Sequence, residues 1–149
     1  MDDVDKRIIA ELQNDGRISV TELADRLPLS LSATSERLRR LLDSGFITGF
    51  AATVDAAAVG RTIEALVDVR FGPGGYAPDI DFGGATLSGV VDAVHLTGRF
   101  DMQLRVVARD VAELDRILES LKDDLQAEET NTRLILRSIA GFPRPIPLD

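Results

Sequence analysis

The chain has 149 residues, of which 44% are hydrophobic and 28% charged, and this ordinary globular balance excludes wholesale disorder. The absence of cysteine excludes a disulfide framework, a thiolate zinc site and a cysteine nucleophile. One histidine, His95, is too few for a multi-histidine metal site, and no apolar run approaches the roughly 20 residues that span a bilayer. We therefore expect a cytoplasmic protein of one or two small domains, with no membrane association, metal or cofactor.

The negative charge is unevenly distributed along the chain. The formal net charge is −8, but residues 1–50 hold seven basic and nine acidic side chains, so most of the acidity falls in residues 51–149. Phosphates respond to the local potential more than to the total charge. The acidic total therefore does not exclude binding of nucleic acid by the N-terminal third.

Hydrophobic periodicity and capping signals predict three short helices in this third. Asp2 is a suitable N-cap for the first helix, and Ser19-x-x-Glu22 is a capping box for the second. The second helix must end before Pro28, because the residue that precedes a proline avoids the α region. Ser30 caps a third helix, which Gly45 ends. Three short helices with a tight turn before the third are typical of a helix-turn-helix, whose last helix enters the major groove of DNA.

The third predicted helix has an apolar side and a basic side. At 100° per residue, Thr34, Leu38 and Leu41 lie on one side, and the arginines lie opposite or on the flanks. The candidates for contact with DNA phosphates and base edges are Ser30, Ser32, Ala33, Glu36, Arg37, Arg39 and Arg40. A solvated charged face is the alternative for this pattern, and the helix-turn-helix arrangement favours contact with DNA.

A β-prone segment follows the third helix. Residues 46–54 predict a wing or a linker strand, because they are rich in aromatic and β-branched side chains. We assign residues 1–50 to a helix-turn-helix domain and residues 51–61 to a linker strand or hinge.

An ordered set of short motifs runs through the N-terminal third. These are Asp2-x-x-Asp5-x-x-Ile8-Ile9, Asp15-Gly16-Arg17-Ile18-Ser19, Glu22-Leu23-Ala24, Glu36-Arg37-x-Arg39-Arg40-Leu41 and Gly45-Phe46-Ile47-x-Gly49-Phe50. With them, residues 2–60 resemble the DNA-binding domain of the Lrp/AsnC (feast/famine) transcription regulators of bacteria and archaea. Two positions depart from the family pattern. Pro28 replaces a usual glycine and Leu31 replaces a common proline, and both bear on the pose of the recognition helix.

The C-terminal two-thirds alternate between strand and helix patterns. We predict strands near residues 63–71, 90–96, 102–108 and 130–139, a weak helix over 79–87 and a strong amphipathic helix after Asp110. The order βαββαβ predicts a ferredoxin-like α+β domain over residues 62–140, followed by a tail over 141–149. One face of its four-stranded antiparallel sheet would be uncovered and partly apolar, so we expect homodimerisation there.

A second set of motifs lies in this part of the chain. His95-Leu96-Thr97-Gly98-x-x-Asp101, the helix after Asp110 and Thr130-x-Thr132 resemble the effector-binding RAM domain of the same family. The resemblance implies an amino-acid site between dimers, formed by Thr97, Gly98, Arg99, Phe100, Asp101, Thr130 and Thr132. Gly98 would let backbone N–H groups approach a carboxylate, and Asp101 would pair with an α-ammonium.

For some of these residues the sequence also allows plainer interpretations. Residues 97–101 are compatible with a glycine-containing hairpin in which Asp101 caps the backbone. His95 has no neighbouring carboxylate or second histidine in sequence, which favours an ordinary surface or interface histidine over a pH switch. Glu128-Glu129 is typical of a solvated helix end.

The leading interpretation is a sequence-specific regulator rather than an enzyme. It would bind double-stranded DNA as a homodimer or as a higher oligomer, a tetramer or an octamer. We expect phosphate contacts from Arg37, Arg39 and Arg40, supported by Arg17 and Arg26, and an affinity that falls steeply with salt.

Two other functions fit the same architecture. Sirohaem decarboxylases look similar overall, but they rely on histidines around a tetrapyrrole, and this chain offers only His95. An architectural DNA-binding protein would use the C-terminal domain for assembly alone.

Overall fold

The structure, a computed structural model, describes residues 1–73, 88–137 and 145–148, which fall into two units. One unit comprises Met1–Ala52 with the C-terminal segment, and the other comprises Thr53–Ile139. No helix among the described residues is long and apolar enough to cross a membrane.

The first unit contains the three predicted helices, α1 (Asp3–Asn14), α2 (Val20–Asp25) and α3 (Leu31–Asp43). The predicted N-cap at Asp2 and the predicted capping box at Ser19 are both present, and Asp2 also forms a capping box with Asp5. The Asp2 carboxylate accepts the backbone N–H of Asp5 at 2.9 Å, and the Ser19 hydroxyl accepts that of Glu22 at 3.2 Å. These bonds satisfy donors that a helix N-terminus leaves without an intrahelical partner. Each helix therefore starts where its local sequence predicts.

A small hydrophobic core holds the three helices together. Its buried members are Ile8, Leu23, Leu27 and Leu41. Burial of one such side chain contributes about 1.5–3 kcal/mol. The helices are short, so most of their stability comes from this packing rather than from helix propensity.

The segment after α3 does not form the predicted strand. Residues 46–54 belong to no strand, although Ile47 donates its N–H to the carbonyl of Leu41 at 3.1 Å and packs on the core. A strand requires a partner for its hydrogen bonds, and the sheet of the described structure lies wholly in the second unit. The β propensity of this segment is real, but its backbone has no neighbouring strand among the described residues with which to pair.

A short stretch near the C-terminus contacts α1 within the first unit. The Gln13 amide donates to the carbonyl oxygen of Ile146 at 3.2 Å, and its oxygen accepts the N–H of the same residue. The Gln13 amide thus pairs with both the carbonyl and the N–H of one residue, as a neighbouring strand backbone would.

In its described residues, the second unit is a four-stranded antiparallel sheet with a helix. Its elements are β1 (Ile63–Phe71), β2 (Val90–His95), β3 (Met102–Ala108), α4 (Val111–Leu125) and β4 (Ala127–Leu134). The strand order is β2-β3-β1-β4, which is the ferredoxin-like order and agrees with the predicted α+β fold. The helix predicted over residues 79–87 lies outside the described residues.

Alternation along the strands decides which sheet face is buried. Ala65, Val67 and Val69 are fully buried, and they pack in one core with Leu114 and Leu121 of α4. Successive strand residues point to opposite faces, so this period-2 pattern sends one apolar row towards the helix.

The last strand starts earlier and ends earlier than predicted. It begins at Ala127 rather than Thr130, because Gln126 adopts the left-handed conformation (φ 52°) and reverses the chain directly after α4. It ends at Leu134, although Ile135 still donates its N–H to the Glu64 carbonyl at 2.8 Å.

The sheet face opposite α4 combines polar and apolar side chains. Asp68, only 5% exposed, accepts hydrogen bonds from Gln103 (2.7 Å), Arg133 (2.8 Å) and Asn131 (3.3 Å) on both neighbouring strands. The apolar residues on this face include Leu66, Val94 and Val107. The face is therefore partly apolar, as predicted, with a hydrogen-bonded carboxylate at its centre. Homodimerisation through this face stays a prediction.

Candidate DNA-binding and effector sites

The exposed face of α3 contains the residues predicted for it. Ser32, Glu36, Arg39 and Arg40 are exposed, whereas Thr34 on the opposite side is fully buried. Ala33 and Arg37, on the flanks, are half-buried. The predicted placement of the faces is confirmed, and the contact of these residues with DNA stays a prediction.

The start of α3 is organised by hydroxyl groups. The Ser30 hydroxyl accepts the N–H of Ala33 at 3.3 Å and lies 3.1 Å from the Ser32 hydroxyl. Thr34 donates its own hydroxyl to the Ser30 carbonyl at 3.0 Å. Leu31, one of the two departures from the family pattern, is the first residue of the helix. Neither departure prevents α3 from forming, and its N-terminal N–H groups retain the partial positive charge that favours phosphate.

Several arginines expected to bind phosphate are already paired with carboxylates. Arg39 lies 2.8 Å from Glu36 and 3.1 Å from Asp43, and Arg26 lies 2.7 Å from a carboxylate of α1. Arg40 has no such partner among the described residues. Arg39 and Arg26 must therefore share their charge between these carboxylates and any phosphate, whereas Arg40 is available to a phosphate.

Arg37 is held by two carboxylates at the start of α1. Its Nη1 atom lies 2.6 Å from Asp2 and 2.8 Å from Asp5. Burial opposes charge on Asp5, but the N–H of Asp2 and the Arg37 guanidinium hold the pKa of its carboxyl below the ordinary value. The sequence predicted Arg37 as a phosphate ligand. Its two carboxylate partners lie 35 and 32 residues away along the chain, so nothing in the local sequence indicated these ion pairs.

The loop of residues 97–101 is a turn between β2 and β3 that is fastened to β1. Leu96 donates its N–H to the Asp101 carbonyl at 2.8 Å, which closes the turn. The Asp101 carboxylate accepts the N–H of Phe71 at 2.8 Å, and the Asp101 N–H bonds to the Val69 carbonyl at 2.9 Å. Asp101 thus caps a backbone N–H, although on β1 rather than in its own hairpin, and its binding of an ammonium group stays a prediction.

An ion-pair cluster joins this turn to the start of β4. Arg99, 72% exposed, lies 2.6 Å from Glu129 and 5.2 Å from the centroid of the Phe100 ring. The other oxygen of Glu129 lies 3.1 Å from Arg70, whose Nε is buried without a partner among the described residues. Sequence reasoning missed Glu129 and Arg70. The available signal was the Glu128-Glu129 pair, which belongs to β4 rather than to a solvated helix end.

The two predicted threonines face away from this cluster. Thr130 and Thr132 pair with Val69 and Val67, so they share the face of the sheet that α4 covers. Glu129 points to the opposite face, because neighbours along a strand alternate. Thr130 and the turn that contains Asp101 flank β1 on opposite sides, about 10 Å apart at two strand spacings. The seven predicted effector residues therefore form no single cluster within one chain.

The remaining candidate chemistry is limited. His95 is exposed at the end of β2, in register with Met102 of β3. Within the described ranges, no group of three histidine, aspartate or glutamate side chains is arranged to hold a metal ion.

Two family models match this chain, and each covers one part of it. A winged helix-turn-helix DNA-binding model matches residues 1–48, and the model of the Lrp/AsnC ligand binding domain matches residues 64–144. Together with the two structural units, these matches define a DNA-binding transcriptional regulator with a separate ligand-binding domain.

Individual relatives agree along nearly the whole chain. The HTH-type transcriptional regulator Rv2324 of Mycobacterium tuberculosis is 34% identical over 140 residues, covering 93% of this chain and 94% of its own. The leucine-responsive regulatory protein of Rhizobium meliloti is 32% identical over 142 residues, covering 93% and 91%. The structure of a feast or famine regulatory protein from M. tuberculosis, complexed with L-methionine, matches with a TM-score of 0.86, 28% identity and coverage of 98% and 99%. This chain belongs to the Lrp/AsnC family, as its motifs predict.

Proposed function

We propose that this regulator binds duplex DNA through α3 as a homo-oligomer, and that an amino acid bound beside Arg99 modulates this binding. The ion-pair cluster of Arg99, Glu129 and Arg70 is the observation that carries the proposal. It places cationic donors from the turn and from β1 beside an anionic acceptor from β4. We include in the proposal that the protein acts in the cytoplasm, where the DNA of bacteria and archaea lies, and that it catalyses no reaction.

The assignment of α3 to DNA rests on its face and its start. Ser32, Arg39 and Arg40 project from an exposed side, and the helix N-terminus offers N–H groups to phosphate. Arginine side chains at such positions reach guanine edges or backbone oxygens in the major groove. A helix in this position reads base sequence while its flanks bind the DNA backbone.

The chemistry of the cluster fits a zwitterion. Arg99 engages Glu129 through one nitrogen, and its remaining N–H donors suit an α-carboxylate in two-point contact. The buried Nε of Arg70 is a further donor without a partner among the described residues. Glu129 supplies the negative charge that an α-ammonium requires. The related structure complexed with L-methionine makes this amino acid the first effector to test.

The proposal of a homo-oligomer rests on the small number of available cations. A single α3 offers few unpaired arginines, so one copy neutralises few phosphates and binds weakly. Two recognition helices about 34 Å apart would contact successive major grooves and raise the apparent affinity. Light scattering of the eluting protein should give at least twice the chain mass, whereas a monomer that binds its operator tightly would contradict this part of the proposal.

Fluorescence anisotropy tests the DNA-binding and effector parts together. The probes are a labelled duplex from the region upstream of the protein's own gene and a scrambled duplex, with and without L-methionine and then each other amino acid. We expect preferential binding to the first duplex and a shift in its Kd with at least one amino acid. Binding without any shift would support an architectural protein, and failure to bind either duplex would contradict the assignment of α3.

Arg99→Ala locates the effector site. The variant should bind DNA like the wild type and lose the response to the amino acid, because the donor for the α-carboxylate is gone. Arg116→Ala, at an exposed position of α4, is the matched control and should respond normally. An Arg99→Ala protein with an unchanged response would place the effector elsewhere.

A further inference from the structure

The contacts of Arg37 differ from those of the other arginines of α3. Its guanidinium is only 24% exposed and reaches across to α1, where one nitrogen lies within 2.8 Å of carboxylates from both Asp2 and Asp5. Arg39, at 63% exposure, pairs only with acids of its own helix. Arg37 thus connects two elements of the first unit, and a phosphate would have to displace two carboxylates to bind it.

Both carboxylates also cap α1, each through its second oxygen. Asp2 accepts the N–H of Asp5 at 2.9 Å, and Asp5 accepts the N–H of Asp2 at 3.0 Å. The same side chains that start α1 therefore hold Arg37. Two negative charges next to each other repel, and the guanidinium between them offsets this repulsion. The cap and the ion pairs consequently stabilise each other.

This arrangement restrains the rotation of α3 about its axis. Thr34 and Leu41 fix the buried side of the helix in the core, and Arg37 lies on the flank between that side and the exposed one. A flank contact to α1 resists rotation more effectively than a second contact on the buried side. The direction in which Ser32, Arg39 and Arg40 project depends on this restraint.

We infer that Arg37 is a positioning residue, which orients α3 through Asp2 and Asp5, rather than a ligand of DNA phosphate. The inference rests on the proposed role of α3 as the helix that contacts DNA. It concerns how this helix is held and not whether DNA binds.

Asp5→Asn distinguishes a phosphate ligand from a positioning residue, because the two roles predict opposite changes in the affinity for DNA. If Arg37 bound phosphate, removal of Asp5's charge would release the guanidinium and reduce repulsion of DNA, so affinity would rise. If Arg37 positions α3, the same change weakens the restraint, so affinity falls. Asparagine keeps the size of aspartate and an oxygen that can accept the Asp2 N–H, so α1 retains its cap.

The experiment measures Kd by anisotropy over a salt series, for the wild type, Asp5→Asn, Arg37→Ala and Arg40→Ala, with the upstream and scrambled duplexes. We expect Asp5→Asn and Arg37→Ala to weaken binding about tenfold without changing the slope of log Kd against log salt. Arg40→Ala, the matched control on the same helix, should lower that slope by about 0.9. Tighter binding by Asp5→Asn, or a slope that Arg37→Ala lowers as Arg40→Ala does, would overturn the inference.

Hydrogen exchange tests without DNA whether Arg37 restrains α3. Asp5→Asn and Arg37→Ala should speed exchange of the α3 backbone amides, and Arg40→Ala should not. If the wild type bound neither duplex, the proposed function would fail, and this exchange comparison would still test the restraint. Equal exchange in all four proteins would overturn it.

Discussion

The carboxylate of Asp101 accepts the backbone N–H of Phe71 at 2.8 Å and so fastens the β2–β3 turn to the end of β1. Phe71 is only 8% exposed, so its N–H has little access to water as a substitute partner. The aspartate that most resembles an ammonium ligand in the sequence therefore has a structural role in the fold.

Replacement of Asp101 should show this role as a loss of stability. Asp101→Ala leaves the Phe71 N–H without an acceptor, and we expect the free energy of unfolding to fall by about 1–3 kcal/mol. Asp101→Asn keeps an oxygen in place and should lose less than half of that amount. Urea denaturation measures both. An alanine variant as stable as the wild type would show that the bond contributes nothing.

Gly89 is a position at which a side chain does not fit. Its φ is +93°, and an added Cβ would lie 2.6 Å from Cδ1 of Ile117 and 2.9 Å from the carbonyl oxygen of Val107. We expect Gly89→Ala to lower the free energy of unfolding by about 2–4 kcal/mol.

Gly45→Ala is the control for Gly89→Ala. Gly45 has a similar φ of +75°, but nothing lies within 4 Å of its added Cβ. The backbone penalty alone is about 1 kcal/mol. Thermal unfolding of the two variants should separate the clash from this penalty, and equal losses would contradict the close contact.

Glu113 should make the second unit sensitive to acid. Its carboxylate accepts the Arg109 backbone N–H at 2.6 Å and lies 3.1 Å from the Arg109 guanidinium and 2.8 Å from that of Arg61. These bonds lower the pKa of Glu113 from 4.5 to about 2. Because the folded-state pKa is the lower one, the stabilisation is complete above about pH 4.5 and is lost as the pH falls towards 2.

Glu113→Gln removes this pH dependence. The variant should be less stable than the wild type at neutral pH, and the difference should shrink between pH 4.5 and 2. Glu119→Gln, at an exposed position of the same helix, should show no such convergence. Urea unfolding at a series of pH values measures the difference, and a constant gap would contradict the assignment.

The salt dependence of DNA binding should differ between two adjacent arginines. Arg40→Ala removes an unpaired cation, so the slope of log Kd against log salt should fall by about 0.9. Arg39→Ala should change it less, since Glu36 and Asp43 already neutralise that guanidinium. Anisotropy titrations from low to near-physiological salt test this order, and equal slopes for the two variants would refute it.

The parts of the fold that depend on near neighbours could be predicted from the sequence. The caps at Asp2 and Ser19 bond to residues only three positions along the chain, so a single helical turn of sequence contains both partners. The faces of α3 follow from helical spacing alone, and the buried row of β1 follows from alternation. In each case the sequence contains both members of the interaction close together.

The features that the sequence could not predict depend on distant or rare partners. Arg37 resembles any exposed arginine until the fold brings Asp2 and Asp5 beside it. Asp68 alternates as a surface residue would, yet side chains from both neighbouring strands bury it. Glutamine seldom adopts the left-handed conformation, so the direct reversal at Gln126 gave no signal and the start of β4 was placed too late.

The pairing of Arg39 within its own helix also bears on how the protein searches a chromosome for its operator. Attraction to DNA of any sequence grows with the number of phosphates that a protein neutralises. A chromosome offers about 10⁶–10⁹ competing sites, so each additional unpaired cation keeps more of the regulator bound to non-specific DNA. If α3 contacts DNA as proposed, its engagement of this arginine with Glu36 and Asp43 would limit that loss, and a larger share of the molecules would stay free to reach the operator.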